Sequence, residues 1–156
     1  RLLKLALPPQ FKSRNLLRFI EALRWETDRV VVDFSELRKI TPVGMSLLAA
    51  LKARGRVEFD GLAQCSILPY LQSMDFLRLC GIDEFEDSFS RHPAAGKFVP
   101  LEEIGIDVLG TGSRVAGCLA PGGEDFDHEL ADLYDFCWYV FTELGNNVRQ
   151  RPYAST

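Results

Sequence analysis

The 156-residue chain has only two histidines, no C-x-x-C pair and no apolar run near the roughly 20 residues that a membrane-spanning helix requires. Its four cysteines, Cys65, Cys80, Cys118 and Cys137, lie too far apart in sequence for a zinc motif or a disulfide framework, so reduced thiols in a cytoplasmic protein are expected. Basic charge is short as well: 18 Lys and Arg against 22 Asp and Glu give a formal net charge of −4. Without a basic field or a local patch, neither nucleic acid nor a membrane surface is an expected partner. The N-terminus lacks the charged, apolar and small-residue order of a signal peptide, and the start at Arg1 without a Met points to a piece of a longer protein. Nucleophile and phosphate motifs are missing too. Ser13, Ser35 and Ser46 have no G-x-S-x-G frame, and His92 and His128 have no ligand-spaced companions. Gly110-Thr111-Gly112-Ser113 and Gly122-Gly123 lack a Walker lysine and read as turns.

What is present is a run of alternating elements. Leu2 to Leu7 reads as a strand stopped by Pro8-Pro9. With Ser13 as N-cap, Leu16, Leu17, Ile20 and Leu23 recur at helical spacing opposite Arg14, Arg18, Glu21 and Arg24. Val30-Val31-Val32-Asp33-Phe34 has the continuous β-branched run of a strand covered on both faces. Thr41-Pro42 opens a helix with a hydroxyl cap and a proline at the first position, where the missing N–H costs nothing. Met45, Leu48 and Leu51, with Leu47 beside them, form its buried face, and Gly55 stops it before the half-exposed strand Arg56 to Phe59. A third helix is expected from about Pro69 through Met74, continuing over Phe76 to Leu79 and ending at Gly81.

Beyond Ile82 the composition changes. Residues 83–123 read as an acidic and proline-broken linker with an irregular region, in which Phe98 to Leu101 is a short edge-strand candidate and the glycines from Gly105 to Gly123 interrupt every apolar patch. A long helix starting at Glu124 or Asp127 then carries Leu130, Leu133, Cys137, Val140, Phe141, Leu144 and Val148 on one face. Trp138, Tyr139 and Phe141 extend its apolar surface beyond a single stripe, the pattern of a helix sandwiched between two layers. The expected fold class is therefore α/β: a small sheet with helices packed on it over residues 1–82, a linker over 83–123, and a C-terminal helix over 124–156.

Two constellations bear on function. The first is Val30-Val31-Val32-Asp33-Phe34-Ser35 followed by Pro42-Val43-Gly44-Met45-Ser46-Leu47-Leu48. A buried strand ending in Asp, a short loop and a helix opening with small residues resembles the anti-sigma factor antagonist, or STAS, family over residues 2–82. Tyr70-Leu71, Met74-Asp75-Phe76-Leu77 and Gly81-Ile82 resemble the end of such a domain. The resemblance implies a regulatory platform whose helix opening carries a serine phosphorylated by a partner kinase. Here the corresponding tetrad is Thr41-Pro42-Val43-Gly44, so a proline stands at the acceptor position. A phosphate there would add nearly two negative charges at a helix start. Proline removes that switch, and the expected partner surface is Thr41, Pro42, Val43, Gly44 and Met45.

The second constellation is Glu143 and Asn147, four residues apart and so on one helical face. A carboxylate can orient or deprotonate water, and an amide oxygen is a hard ligand suited to magnesium. With the apolar helix before it, the pair resembles the N-box of the histidine-kinase-like ATPase superfamily, although Arg151 stands where a His commonly follows. The resemblance implies Glu143 as catalytic base and Asn147 as ligand of Mg-ATP in a full-length parent, an ATPase or anti-sigma factor serine kinase. Only nine residues follow Asn147, too few for the superfamily's adenine site, so this chain is expected to be non-catalytic and to hold no cofactor. The expected partner is a protein, a kinase or an anti-sigma-type regulator, with a second copy of the chain joined through the C-terminal helix as a further candidate.

Overall fold

The computed structural model describes residues 2–24, 29–86, 97–105 and 107–150. The chain is α/β, and it divides into two compact units, Arg1–Arg91 and His92–Thr156.

The first unit is built on a three-stranded parallel sheet of β1 (Leu3–Ala6), β3 (Val30–Asp33) and β5 (Val57–Asp60), in the order β1-β3-β5. Leu3, Val30 and Val57 are in register, as are Ala6, Asp33 and Asp60. A second pair, β2 (Gln10–Phe11) with β4 (Lys39–Ile40), is also parallel. Helix α1 (Ser13–Arg24) follows β2 directly, and α2 (Pro42–Ala53) follows β4. Stepping in one direction through parallel strands by right-handed crossovers puts both helices on the same side of the sheet. Burial agrees: Val30, Val32, Phe34 and Val57 are fully enclosed, while Val31, Asp33 and Glu58 on the other face are half-exposed and Lys4, Ala6 and Asp60 are exposed. The valine run of β3 is therefore covered on one face, not two. Its hydrophobicity resembles that of a doubly buried strand only because Val31 adds an apolar residue to the open side.

Local chemistry sets the remaining boundaries. Ser13 is the first residue of α1 and not its cap; Asn15 Oδ1 instead accepts from the Lys12 N–H at 3.1 Å. Gly55 and Gly81, both at φ near +70°, close α2 and α4 (Phe76–Leu79) with the same paired bonds: Gly55 N to Lys52 O and Arg56 N to Leu51 O, then Gly81 N to Arg78 O and Ile82 N to Leu77 O. The single helix expected from Pro69 to Leu79 is two, α3 (Leu68–Ser73) and α4, broken where Asp75 takes a left-handed conformation at φ 57°. Phe34, Phe59 and Phe76 cluster beneath them, with centroids 4.8–6.1 Å apart.

The second unit contains α5 (Val108–Leu119) and α6 (Ala131–Gln150), which pack on each other. Helix α5 overturns the irregular reading of 105–123 and the turn reading of Gly110 to Ser113. Each interior glycine costs a helix about 1 kcal/mol relative to alanine, but a β-carbon at Gly112 would collide with the Thr142 side chain and one at Gly145 would stand 2.6 Å from Val108 Cγ1. The glycines thus permit the close approach of the two helices, and packing outweighs propensity. Helix α6 starts later than Glu124 or Asp127 because residues 120–130 form successive turns, with Leu130 N–H donating to His128 Nδ1 at 3.1 Å. Phe98 to Leu101 forms no strand. No helix of the described residues is long and apolar enough to cross a membrane.

Candidate functional site

The start of α2 is held from three directions. Thr41 Oγ1 accepts from the Gly44 N–H at 3.3 Å, and Pro42 occupies the first helical position. The Thr41 N–H donates to Phe11 O at 3.2 Å, which ties the helix start to the β2–β4 pair. Beneath it Gly44 lies against Phe11 and Ile40, and Phe11 meets Phe19 edge-on at 5.3 Å. The five residues expected to form a partner surface therefore separate by role. Gly44 and Met45 are buried and anchor the helix, Thr41 is half-buried and caps it, and only Pro42 and Val43 project, Val43 at 58% exposure. Ser46, one turn on, is exposed and donates to Pro42 O at 2.9 Å.

Val43, Leu47, Leu51 and Arg54 share one face of α2 at helical spacing. Leu47 and Leu51, with Ile20 and Leu23 of α1 and with Arg54 and Arg56, line an open groove of about 430 Å³. Sequence reading put Leu47, Leu17 and Ile20 on apolar, core-facing helix faces; Leu47 is half-buried, and Leu17 and Ile20 are exposed, with Ile20 in the groove lining.

On the uncovered sheet face, Lys4 Nζ lies 2.8 Å from Asp60 Oδ2 and 3.1 Å from Asp33 Oδ2. The Asp33 carboxyl is held below its ordinary value chiefly by the Ser35 N–H, which donates at 2.9 Å, and the Asp60 carboxyl chiefly by Lys4. Lys4 is raised in turn by Asp60 and Asp33. Lys52 bonds Glu58 and lowers its pKa, with Arg29 at 3.7 Å adding to the effect. These charges satisfy one another and read as a solvated face. Burial pushes the Cys80 thiol up to about 11, which makes it a poor nucleophile.

Glu143 and Asn147 are both exposed on α6. Their neighbours on that side are apolar: Leu133, Phe136, Leu144 and Val148 remain open to solvent, Phe136 at 65% and Leu144 at 53%. The opposite side of α6 turns Thr142 and Gly145 toward α5. The pair thus borders a second apolar stripe that no described residue covers. No cluster of potential metal ligands occurs among the described residues. His92 and Arg151 lie outside the described residues, and His128 is exposed.

Comparison with known proteins returned no matching family model, no curated relative and no matching solved structure.

Proposed function

We propose that the chain is a regulatory protein–protein interaction module of cytoplasmic signalling, STAS-like in its first unit, with no catalytic activity of its own. The observation that supports this reading is the start of α2: a rigid, capped helix end that presents Pro42 and Val43 to solvent while Thr41, Gly44 and Met45 fix it from below. Pro42 at the acceptor position leaves the surface without a phosphate switch and holds it in one state. The partner on this reading is a kinase or an anti-sigma-type regulator. A photo-crosslinker at position 46, exposed one turn further along α2, tests it: a discrete protein adduct is expected, lost when Val43→Asp is added at unchanged thermal stability. Equal capture by wild type and Val43→Asp rejects the reading.

A second reading is favoured by α6, where Glu143 and Asn147 share an exposed face beside the uncovered stripe. On that reading the helix is the N-box of an ATP-dependent kinase or ATPase whose remaining sheet lies in a longer parent, with Glu143 as base and Asn147 as magnesium ligand. The present chain is then expected to show no nucleotide binding by calorimetry. Measurable affinity would reject the non-catalytic assignment.

A further inference from the structure

Helix α6 carries a stripe that its contact with α5 leaves bare. Cys137, Thr142 and Gly145 are buried, and a β-carbon at Gly145 would meet Val108 of α5, which fixes the side of α6 that faces inward. On the other side Asp132, Phe136, Tyr139 and Glu143 follow one another at spacings of four, three and four residues, so they share one face of the helix. All four are exposed, Phe136 at 65% and Tyr139 at 62%. The stripe runs about 16 Å at the rise of an α-helix, roughly three turns. Asp135, also exposed, stands one turn before Tyr139 at its edge.

The charge of this stripe is of one sign and unanswered. Residues 115–148 hold seven acidic residues and neither Lys nor Arg, a charge of −7 in a chain whose net charge is −4. No Lys or Arg stands three or four residues from Asp132, Asp135 or Glu143, so none has an ion-pair partner along the helix. Among the described residues none of the three is ion-paired by another element either. Asp132 lies in the first turn, where the helix dipole favours an acid, but Asp135 and Glu143 lie beyond it. Rigid aromatic side chains are enriched where proteins meet, because they bury a large area at little cost in entropy. Carboxylates left unpaired beside them select a partner of positive charge.

We infer that the Asp132, Phe136, Tyr139 and Glu143 face of α6 docks an arginine-bearing segment of a partner protein, its guanidinium groups paired with Asp132, Asp135 and Glu143 and stacked on the Phe136 and Tyr139 rings. Arginine fits both halves of the stripe, since its planar fork takes a carboxylate through two bonds and also lies over an aromatic face. The surface is separate from the start of α2 and does not rest on the reading given to it, and it gives Glu143 a use other than the one in the N-box reading. A second copy of the chain is the competing occupant, and like charge disfavours it: two such faces bring carboxylates from both sides and no base between them. Nucleic acid and anionic membranes are repelled for the same reason.

The test uses the full chain and a fluorescein-labelled peptide of about 16 residues with arginine at every third or fourth position, beside a twin with glutamate in place of arginine. Anisotropy is expected to show binding of the arginine peptide and none of the twin. Binding is expected to weaken at least about tenfold in the double variant Asp132→Asn with Glu143→Gln, and about tenfold in Phe136→Gln or Tyr139→Gln. The control, Glu21→Gln with Glu36→Gln, removes the same charge from exposed positions of the first unit and is expected to bind as wild type. All substitutions are at exposed positions, and circular dichroism melts confirm that the variants fold. No binding of the arginine peptide overturns the inference. So does an equal loss in the control pair, which would reduce the effect to net charge, or binding indifferent to both aromatic substitutions. Self-association in gel filtration that Phe136→Gln abolishes also overturns it and assigns the face to a second copy.

Discussion

Gly44 stands so close to Phe11 that a β-carbon at residue 44 would lie 3.0 Å from Phe11 Cδ1 and 3.2 Å from Ile40 Cγ1. Phe11 is fully buried and braced by Phe19, so it has little room to yield. Alanine would gain about 1 kcal/mol of helix propensity, but overpacking a rigid contact costs about 1–3 kcal/mol. Gly44→Ala is therefore expected to lower stability by about 1 kcal/mol in urea denaturation, and Gly44→Val by more. Gly117 of α5, with nothing within 4 Å of its added β-carbon, provides the contrast: Gly117→Ala is expected to stabilise.

The ion pairs of the open sheet face give stability a defined pH dependence. Asp33 and Asp60 have folded pKa values below the unfolded one, so their contribution is fully present above the unfolded value, 3.8, and is lost as pH falls through the folded values. Lys4 is raised, so its contribution is fully present below its unfolded value, 10.5, and is lost as pH rises through the folded one. Lys4→Met is expected to remove the alkaline limb and to shrink the acid limb. In 1 M salt the Lys4 part fades, because Lys4 and Asp60 are exposed. The Ser35 N–H to Asp33 bond and the Gly61 N–H to Asp60 bond at 2.8 Å persist, so Asp33→Asn is expected to shrink the acid limb in high salt and Asp60→Asn, whose shift comes chiefly from Lys4, to shrink it less. Urea midpoints across pH 2–6 and 9–12 measure both.

Thr142 is buried at the α5–α6 contact, and its Oγ1 has no hydrogen-bond partner among the described residues. Leaving a buried hydroxyl unpaired costs about 1–3 kcal/mol. Thr142→Val keeps the branched shape opposite Gly112 and removes the polar atom, so it is expected to raise the thermal midpoint of the second unit. A lowered midpoint would show that the hydroxyl finds a partner in solution. Gly112→Ala, which drives a methyl into the Thr142 side chain, is expected to destabilise in either case.

Much of the first unit is legible in the sequence because local chemistry and tertiary packing agree there. The Val30 to Phe34 run, the Thr41-Pro42 helix start and the Gly55 and Gly81 stops each combine a residue type with the backbone geometry it favours, and each is found where expected. The β2–β4 pair is not legible: two residues per strand carry no period, and only the Phe11 and Ile40 side chains betray it. Sheet cover was misread because a valine run looks the same whether its outward residue meets a helix or water, and the open face is fixed by the order β1-β3-β5. Helix α5 was hidden for a different reason. Gly110, Gly112 and Gly117 are poor helix formers, and the close contact that makes one of them useful exists only once α6 is in place. In the candidate site, Thr41 and Pro42 could be placed from sequence. The separation of exposed Val43 from buried Gly44 and Met45 could not, since it depends on what lies beneath the helix.

Glu143 and Asn147 distinguish a functional face from a structural one by what their removal fails to do. Both side chains are exposed on α6. Exposed substitutions of this kind usually change stability by less than about 0.5 kcal/mol, so Glu143→Ala and Asn147→Ala are expected to melt with wild type. The apolar stripe beside them behaves differently. Replacing Leu144 and Phe136 by lysine removes exposed hydrophobic surface without touching the α5 contact, and is expected to keep the helical signal while reducing aggregation and dye binding. If instead the double lysine variant unfolds the second unit, the stripe is packed in solution against a surface of the molecule. The face bearing Glu143 and Asn147 is then internal, and the N-box reading loses the opening that it needs.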